Sequence, residues 1–347
     1  MLVYKIDRLG DWLLAEPTLA RIVAATRARG GTVAVWAAHE SEALIAWRHL
    51  GFTVETVAFD PRGMGAKLRR AWALVRLLAT YRAREFISLR YSPEPIREFV
   101  LAHVAADETY ALSWRLVPGP PEAVPHEIAR HHAILRACGL EPADARELLP
   151  KFPGRRDAPS PRVVLSPFSS APIKDWRDNS WCEIAPALVA RGLHIAIWVG
   201  PGQKSRAEGL ARMLSERVGE GNVSVRSGAL CDLAEAVSEA PLVLTVDTFT
   251  AHLAAALDVP MVCLIGGGHY GDFGPWQNSP RQRWVTHALP CFGCDWQCSR
   301  ARVECLEDIE PAAVLSEIEA ALKSRPDGDD PPGGGATGPG GRGRAPS

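Results

Sequence analysis

The chain is short of several things, and each shortage excludes a class of protein. No apolar run approaches the roughly 20 residues that a bilayer-spanning helix needs. Its start carries none of the basic, apolar and small-residue regions of a secretory signal, so the expected location is the cytoplasm. Charge of one sign is in short supply as well: Lys and Arg number 39 against 40 Asp and Glu, a formal net charge of -1. Such a balance gives no whole-molecule attraction to nucleic acid, which is not an expected partner. Half of the cysteines, Cys138, Cys182, Cys231 and Cys263, are too scattered to frame disulfides. In a cytoplasmic chain thiols stay reduced in any case.

What is present is an ordinary globular mixture, 47% hydrophobic and 23% charged. At 347 residues the chain exceeds the size at which a single core usually stops growing, so two domains are expected. Short β-branched or aromatic runs alternate with helical patterns, the rhythm of parallel sheets built from βαβ units and hence of an α/β fold. The first half reads as strands "LVYKI", "TVAVWA", "TVETVAF" and "EFISLR". Leu68, Trp72, Val75 and Ala79 recur at three- and four-residue steps and share one face of a helix. The Pro- and charge-rich "CGLEPADARELLPKFPGRRDAPSPR" reads as a linker. Beyond it the rhythm restarts with "VVLSP", "HIAIWVG", "PLVLTV" and "PMVCLIG", each followed by a helical pattern, and a last helix opens near Pro311. The expected division is therefore 1–150, 151–323 and a Gly- and Pro-rich disordered tail over 324–347.

Three segments of the second half look equipped for an anion. In "LTVDTFTAHLAAALDVP" a strand ends at Asp247, and Thr248, Thr250 and His252 occupy the turn and the start of a helix. Free amides and the positive end of a helix dipole converge at such a place. The following strand ends in "GGGHYGDFGP", where Gly266 and Gly267 would let the backbone approach a diphosphate. A third strand-end loop, "SPFSSAPIKDW", offers Ser169, Ser170 and the point charge of Lys174. Ligands of open α/β sheets bind at this carboxyl edge.

Together with these, the opening "IDRLGDWLLAEP" and the "PCFGCDWQC" cluster make the chain resemble the ADP-heptose:lipopolysaccharide heptosyltransferases, glycosyltransferase family 9, over nearly all of residues 1–323. The resemblance implies a GT-B architecture of two facing Rossmann-like domains with parallel sheets. The first would bind a glycan or lipid-linked acceptor and the second an ADP-heptose or similar donor. It also implies an inverting transfer with Asp11, the Asp of "LGD", as general base. A carboxylate beside the acceptor hydroxyl takes its proton as the oxygen attacks the anomeric carbon. Lys174, Thr248, Thr250 and helix amides would stabilise the leaving diphosphate, so no cofactor is required for catalysis. Arg8 would hold an anionic acceptor group or pair with Asp7 or Asp11. The chain departs from the family in placing Phe249 where a Gly usually follows "DT". It also lacks an early acidic residue in "VGPGQKSRAE", where either Gln203 would substitute at the ribose or Glu208 would reach it. Two rival readings stand beside the transferase: a GT-B-like nucleotide-sugar epimerase, and a catalytically silent nucleotide-sugar-binding protein.

Cys291, Cys294, Cys298 and Cys305 are spaced C-x2-C-x3-C-x6-C. They read either as a structural Zn or Fe site or as reduced thiols packing a loop. Arg62, Lys67 and the further basic residues up to Arg97 meet only Glu85 and Glu94. Such a run is either a solvated face or a patch that recruits an anionic acceptor or the inner-membrane surface.

Overall fold

The computed structural model describes residues 1–48, 52–58, 63–91, 94–112, 125–152, 160–200 and 202–324. Arg62 and the tail beyond Ser324 lie outside the described residues. Strands β1 (Leu2–Lys5), β2 (Ala34–Ala38), β3 (Thr53–Val57), β4 (Arg82–Ser88) and β5 (Ala105–Ala111) form a parallel sheet in the order β3-β2-β1-β4-β5. Central strand β1 is buried along its whole length, as an apolar run covered on both faces should be. Helices α1 (Leu9–Ala28) and α2 (Glu42–Arg48) cover one face. After β3 the strand order reverses, and α3 (Met64–Thr80) and α4 (Pro95–His103) cover the other.

Strands β6 (Arg162–Ser166), β7 (His194–Trp198), β8 (Val223–Arg226), β9 (Val243–Val246), β10 (Met261–Leu264) and β11 (Gln282–Val285) make the second parallel sheet, ordered β11-β10-β9-β6-β7-β8. Between and after them come α6 (Asp178–Val189), α7 (Lys204–Val218), α8 (Leu230–Glu239), α9 (Phe249–Ala256), α10 (Glu304–Glu307) and α11 (Pro311–Lys323). This is the doubly wound α/β pair that the sequence predicts. No helix among the described residues is long and apolar enough to cross a membrane.

The halves meet through one apolar core. Trp12, Leu13 and Ile22 of α1 pack in the same cluster as Ala251, Leu253 and Ala254 of α9. Helix α5 (His126–Ala137) adds Ile128, Ile134 and Leu135 to it, and donates Nα–H bonds from His126 and Glu127 to the carbonyls of Gly271 and Asp272 at 2.8 and 2.9 Å. The stretch read as a linker holds a short 3-10 helix, Ala145–Leu148, and is packed where it is described. Leu148, Leu149 and Phe152 are buried, and the Phe152 amide donates to the Ala256 carbonyl at 2.7 Å.

Helix α3 is amphipathic, but its periodic face is turned the other way round. Leu74 and Leu77 pack on the sheet, whereas Leu68, Trp72 and Val75 point outward, with Trp72 75% exposed.

Candidate functional site

The site is built on two carboxyl edges that face each other. In the first sheet β1 ends at Lys5, and the chain turns through Ile6, Asp7 and Arg8 into α1. Lys5 is 1% exposed, a position no ammonium occupies without partners. It has Glu127 Oε1 at 2.7 Å and Asp7 Oδ2 at 3.0 Å. Arg90, two residues beyond the end of the neighbouring β4, pairs with the other oxygen of Asp7 and donates to the Ile6 carbonyl at 2.7 Å. Burial alone would lower the Lys5 pKa, but Asp7 and Glu127 outweigh it and hold the ammonium charged. Glu127 is kept below the usual carboxylate range despite its burial, chiefly by Lys5.

Asp11 stands on this charged floor in the first turn of α1. Burial pushes its carboxyl up to about 7, with Asp7 acting in the same direction, while Lys5 and, from the second half, Lys174 draw it back. A carboxylate tuned to near neutrality matches what a general base requires. Arg8 is exposed at the N-cap of α1.

In the second sheet β9, β6 and β7 are neighbours, so the loops after them share one edge. Lys174 reaches from the β6 loop to Asp247, after β9, with Nζ 3.0 Å from Oδ2. Its ammonium lies 5.2 Å from the centre of the Trp296 ring. Ser169 is buried, its amide donating to Asp175 Oδ1 at 2.6 Å, while Ser170 is exposed. Gln203 braces two loops: its Nε2 donates to the Ser169 carbonyl at 2.8 Å and its Oε1 accepts from the Gly200 amide at 3.1 Å. Thr248 caps α9 with extended backbone, its hydroxyl 3.1 Å from that of Thr245. Thr250 is buried, with its hydroxyl donating to Ser166 Oγ at 3.1 Å.

His252 joins the edges. Its Nδ1 accepts from the Trp276 indole at 3.0 Å, and burial lowers its pKa to about 4, so the ring is neutral and its proton sits on Nε2, 4.0 Å from Asp247 Oδ1. A Cβ on Gly10, the Gly of "LGD", would come within 3.3 Å of His252 Cδ2. Phe249 packs at the same seam, its Cα 3.8 Å from that position. Asp11 and the Lys174–Asp247 pair are thereby brought to one place.

Gly266 and Gly267 sit after β10, with their open faces already covered. A Cβ on Gly267 would fall 2.2 Å from Phe292 Cδ1, and one on Gly266 2.7 Å from Trp296. The room that the sequence reading gives to a diphosphate is thus filled by aromatic rings of the cysteine loop. That loop brings Cys291, Cys294, Cys298 and Cys305 around one small pocket. Among the described residues no three His, Cys, Asp or Glu side chains are placed to share an ion. Cys305 Sγ instead accepts from the Gly267 amide at 3.4 Å. Lys67 is exposed on α3, on the sheet face opposite α1.

Residues 130–299 match the family model for glycosyltransferase family 9 (heptosyltransferase). Over that stretch, just under half of its length, the chain is similar to glycosyltransferase family 9. Among curated relatives, lipopolysaccharide heptosyltransferase 3 of Escherichia coli is 26% identical over 165 residues, 47% of this chain. The chain spans about half the length of that relative, 47% of it. The fold of this chain is that of the E. coli heptosyltransferase WaaC solved with ADP-2-deoxy-2-fluoro heptose, at a TM-score of 0.62 and 18% identity over 92% of this chain and 99% of that one. It is also that of the iron-containing dodecameric glycosyltransferase TibC from enterotoxigenic E. coli H10407, at 0.56 and 15% over 92% and 74%.

Proposed function

We infer that this protein is an inverting glycosyltransferase that moves a heptose or similar sugar from an ADP-sugar to a hydroxyl of a glycan or lipopolysaccharide-type acceptor. Residues 1–150 receive the acceptor, with Arg8 at its anionic groups, and residues 151–323 hold the donor. Asp11 takes the hydroxyl proton. Lys174, the α9 amides and Thr248 carry the diphosphate, with Ser169, Ser170, Gln203, Asp247, Thr250 and His252 shaping its site. The work is done on the cytoplasmic side, with the acceptor at the inner membrane. The observation that carries this reading is the convergence of a near-neutral carboxylate, Asp11, with the Lys174–Asp247 pair at a single seam. A match of residues 130–299 to the family 9 model and a likeness in fold to a solved heptosyltransferase support it.

The test is Asp11→Asn, assayed by ADP release from ADP-heptose with a lipopolysaccharide core acceptor. Removing a general base should cost about 10² to 10⁴ in kcat, with ADP affinity by calorimetry unchanged. In the unsubstituted protein, kcat/KM should rise with pH and level off above about 7, because the base works only once ionised. Full activity in the Asn variant would remove Asp11 from the role.

A further inference from the structure

The outward face of α3 is a feature that the transfer reaction leaves unused. Met64, Leu68, Trp72 and Val75 are 73%, 58%, 75% and 46% exposed. At 3.6 residues per turn they form one stripe, on the side opposite the Leu74 and Leu77 contacts with the sheet. Four large apolar side chains in a row on a water-facing helix are not the scattered exposure that any surface shows.

The charges beside the stripe are of one sign. Lys67 flanks one edge and Arg69 and Arg76 the other, all three exposed, and no Asp or Glu occurs from Met64 to Thr80. An apolar stripe holding an indole, bordered on both sides by cations, is the pattern of a helix lying in the interface of an anionic bilayer. Long basic side chains reach the phosphates from the rim while the indole sits at headgroup depth. The near-neutral net charge of the whole chain makes this local excess the more pointed.

We propose that α3 is the surface by which this protein lies on an anionic phospholipid bilayer. The proposal rests on the functional reading only for its placing of the acceptor at a membrane. The binding itself needs neither donor nor acceptor. Helix α3 starts at the carboxyl edge of the first sheet, the edge that also carries Asp11. Docking through α3 therefore sets that edge close to the lipid.

The test is flotation of the full chain with vesicles of phosphatidylglycerol and phosphatidylethanolamine, and with phosphatidylcholine alone. The chain should float with the anionic vesicles, weakly with the neutral ones, and less at high salt. Leu68→Gln with Trp72→Gln should lower the partition coefficient more than tenfold. Lys67→Gln with Arg69→Gln and Arg76→Gln should lower it by about a hundredfold on anionic vesicles only. All five side chains are exposed, so circular dichroism and melting temperature should be unchanged, and Trp72→Gln alone serves as a milder variant. A chain that stays at the bottom with anionic vesicles, or variants that float as well as the parent, would overturn the proposal. So would a dimer in solution that Trp72→Gln dissociates, which would give the stripe to a second copy. Loss of transfer in Asp11→Asn, or its absence in the parent, leaves flotation untouched, so the two readings fail separately.

Discussion

Gly10 shows how much one missing methyl can carry. Its hydrogen faces the His252 ring, and Gly10→Ala would set a Cβ at 3.3 Å from Cδ2, closer than the ring accepts without moving. We expect the variant to fold and to lose less in kcat/KM than the ~10²-fold of a full ångström's misplacement, measured by steady-state kinetics beside a thermal melt. His252 supplies a second prediction. With its pKa lowered to about 4 from the ordinary 6.5, the folded state binds fewer protons than the unfolded one between those values. Stability should therefore fall as pH drops from about 6.5 through 4, and His252→Gln should flatten that slope in urea titrations across the range. The sequence marks Asp11, Lys174, Asp247 and His252 because each follows a strand. It is silent on Trp276, the donor that fixes the His252 tautomer, and on Lys5 and Glu127, separated by 122 residues. Pairings of that kind depend on tertiary placement and leave no local signal.

At the scale of elements, the strands that periodicity misses have a common cause. β5, β8 and β11 all lie at sheet edges, and apart from Gln282 their residues are half-buried at best, as "AADETYA", "VSVR" and "QRWV" show. A strand covered less fully needs fewer apolar residues and so reads weakly. The central strands, buried on both faces, are all legible. Helix α3 is legible as a helix and misleading as to its face, because the stripe of period 3.6 points outward while Leu74 and Leu77, with the partly buried Ala73 and Leu78, hold it to the sheet. The junction of β1, β4 and α5 is pinned by the Lys5–Glu127 contact at 2.7 Å. Glu127→Gln leaves the buried ammonium with a weaker partner set and should cost about 3 kcal/mol in denaturant unfolding. The glycine loop after β10 answers to packing: Gly267→Ala must displace Phe292 and should cost about 1–3 kcal/mol.

At the scale of the whole molecule, two sheets share one apolar core through α1, α5 and α9. The two-domain architecture is legible from the repeated α/β rhythm. The sharing is not, since α9 reads simply as a small-residue helix until Trp12 and Ile22 are seen against the same cluster. Calorimetry should therefore give one cooperative transition for both halves, and a calorimetric enthalpy equal to the van't Hoff value. Two separated peaks would refute that coupling. The shared core also limits how the molecule can move. Swinging the sheets apart about a distant pivot would strip water-averse side chains of α1 and α9 bare, whereas sliding the two helices along each other keeps them covered. Any opening of this protein thus calls for a shear of small amplitude.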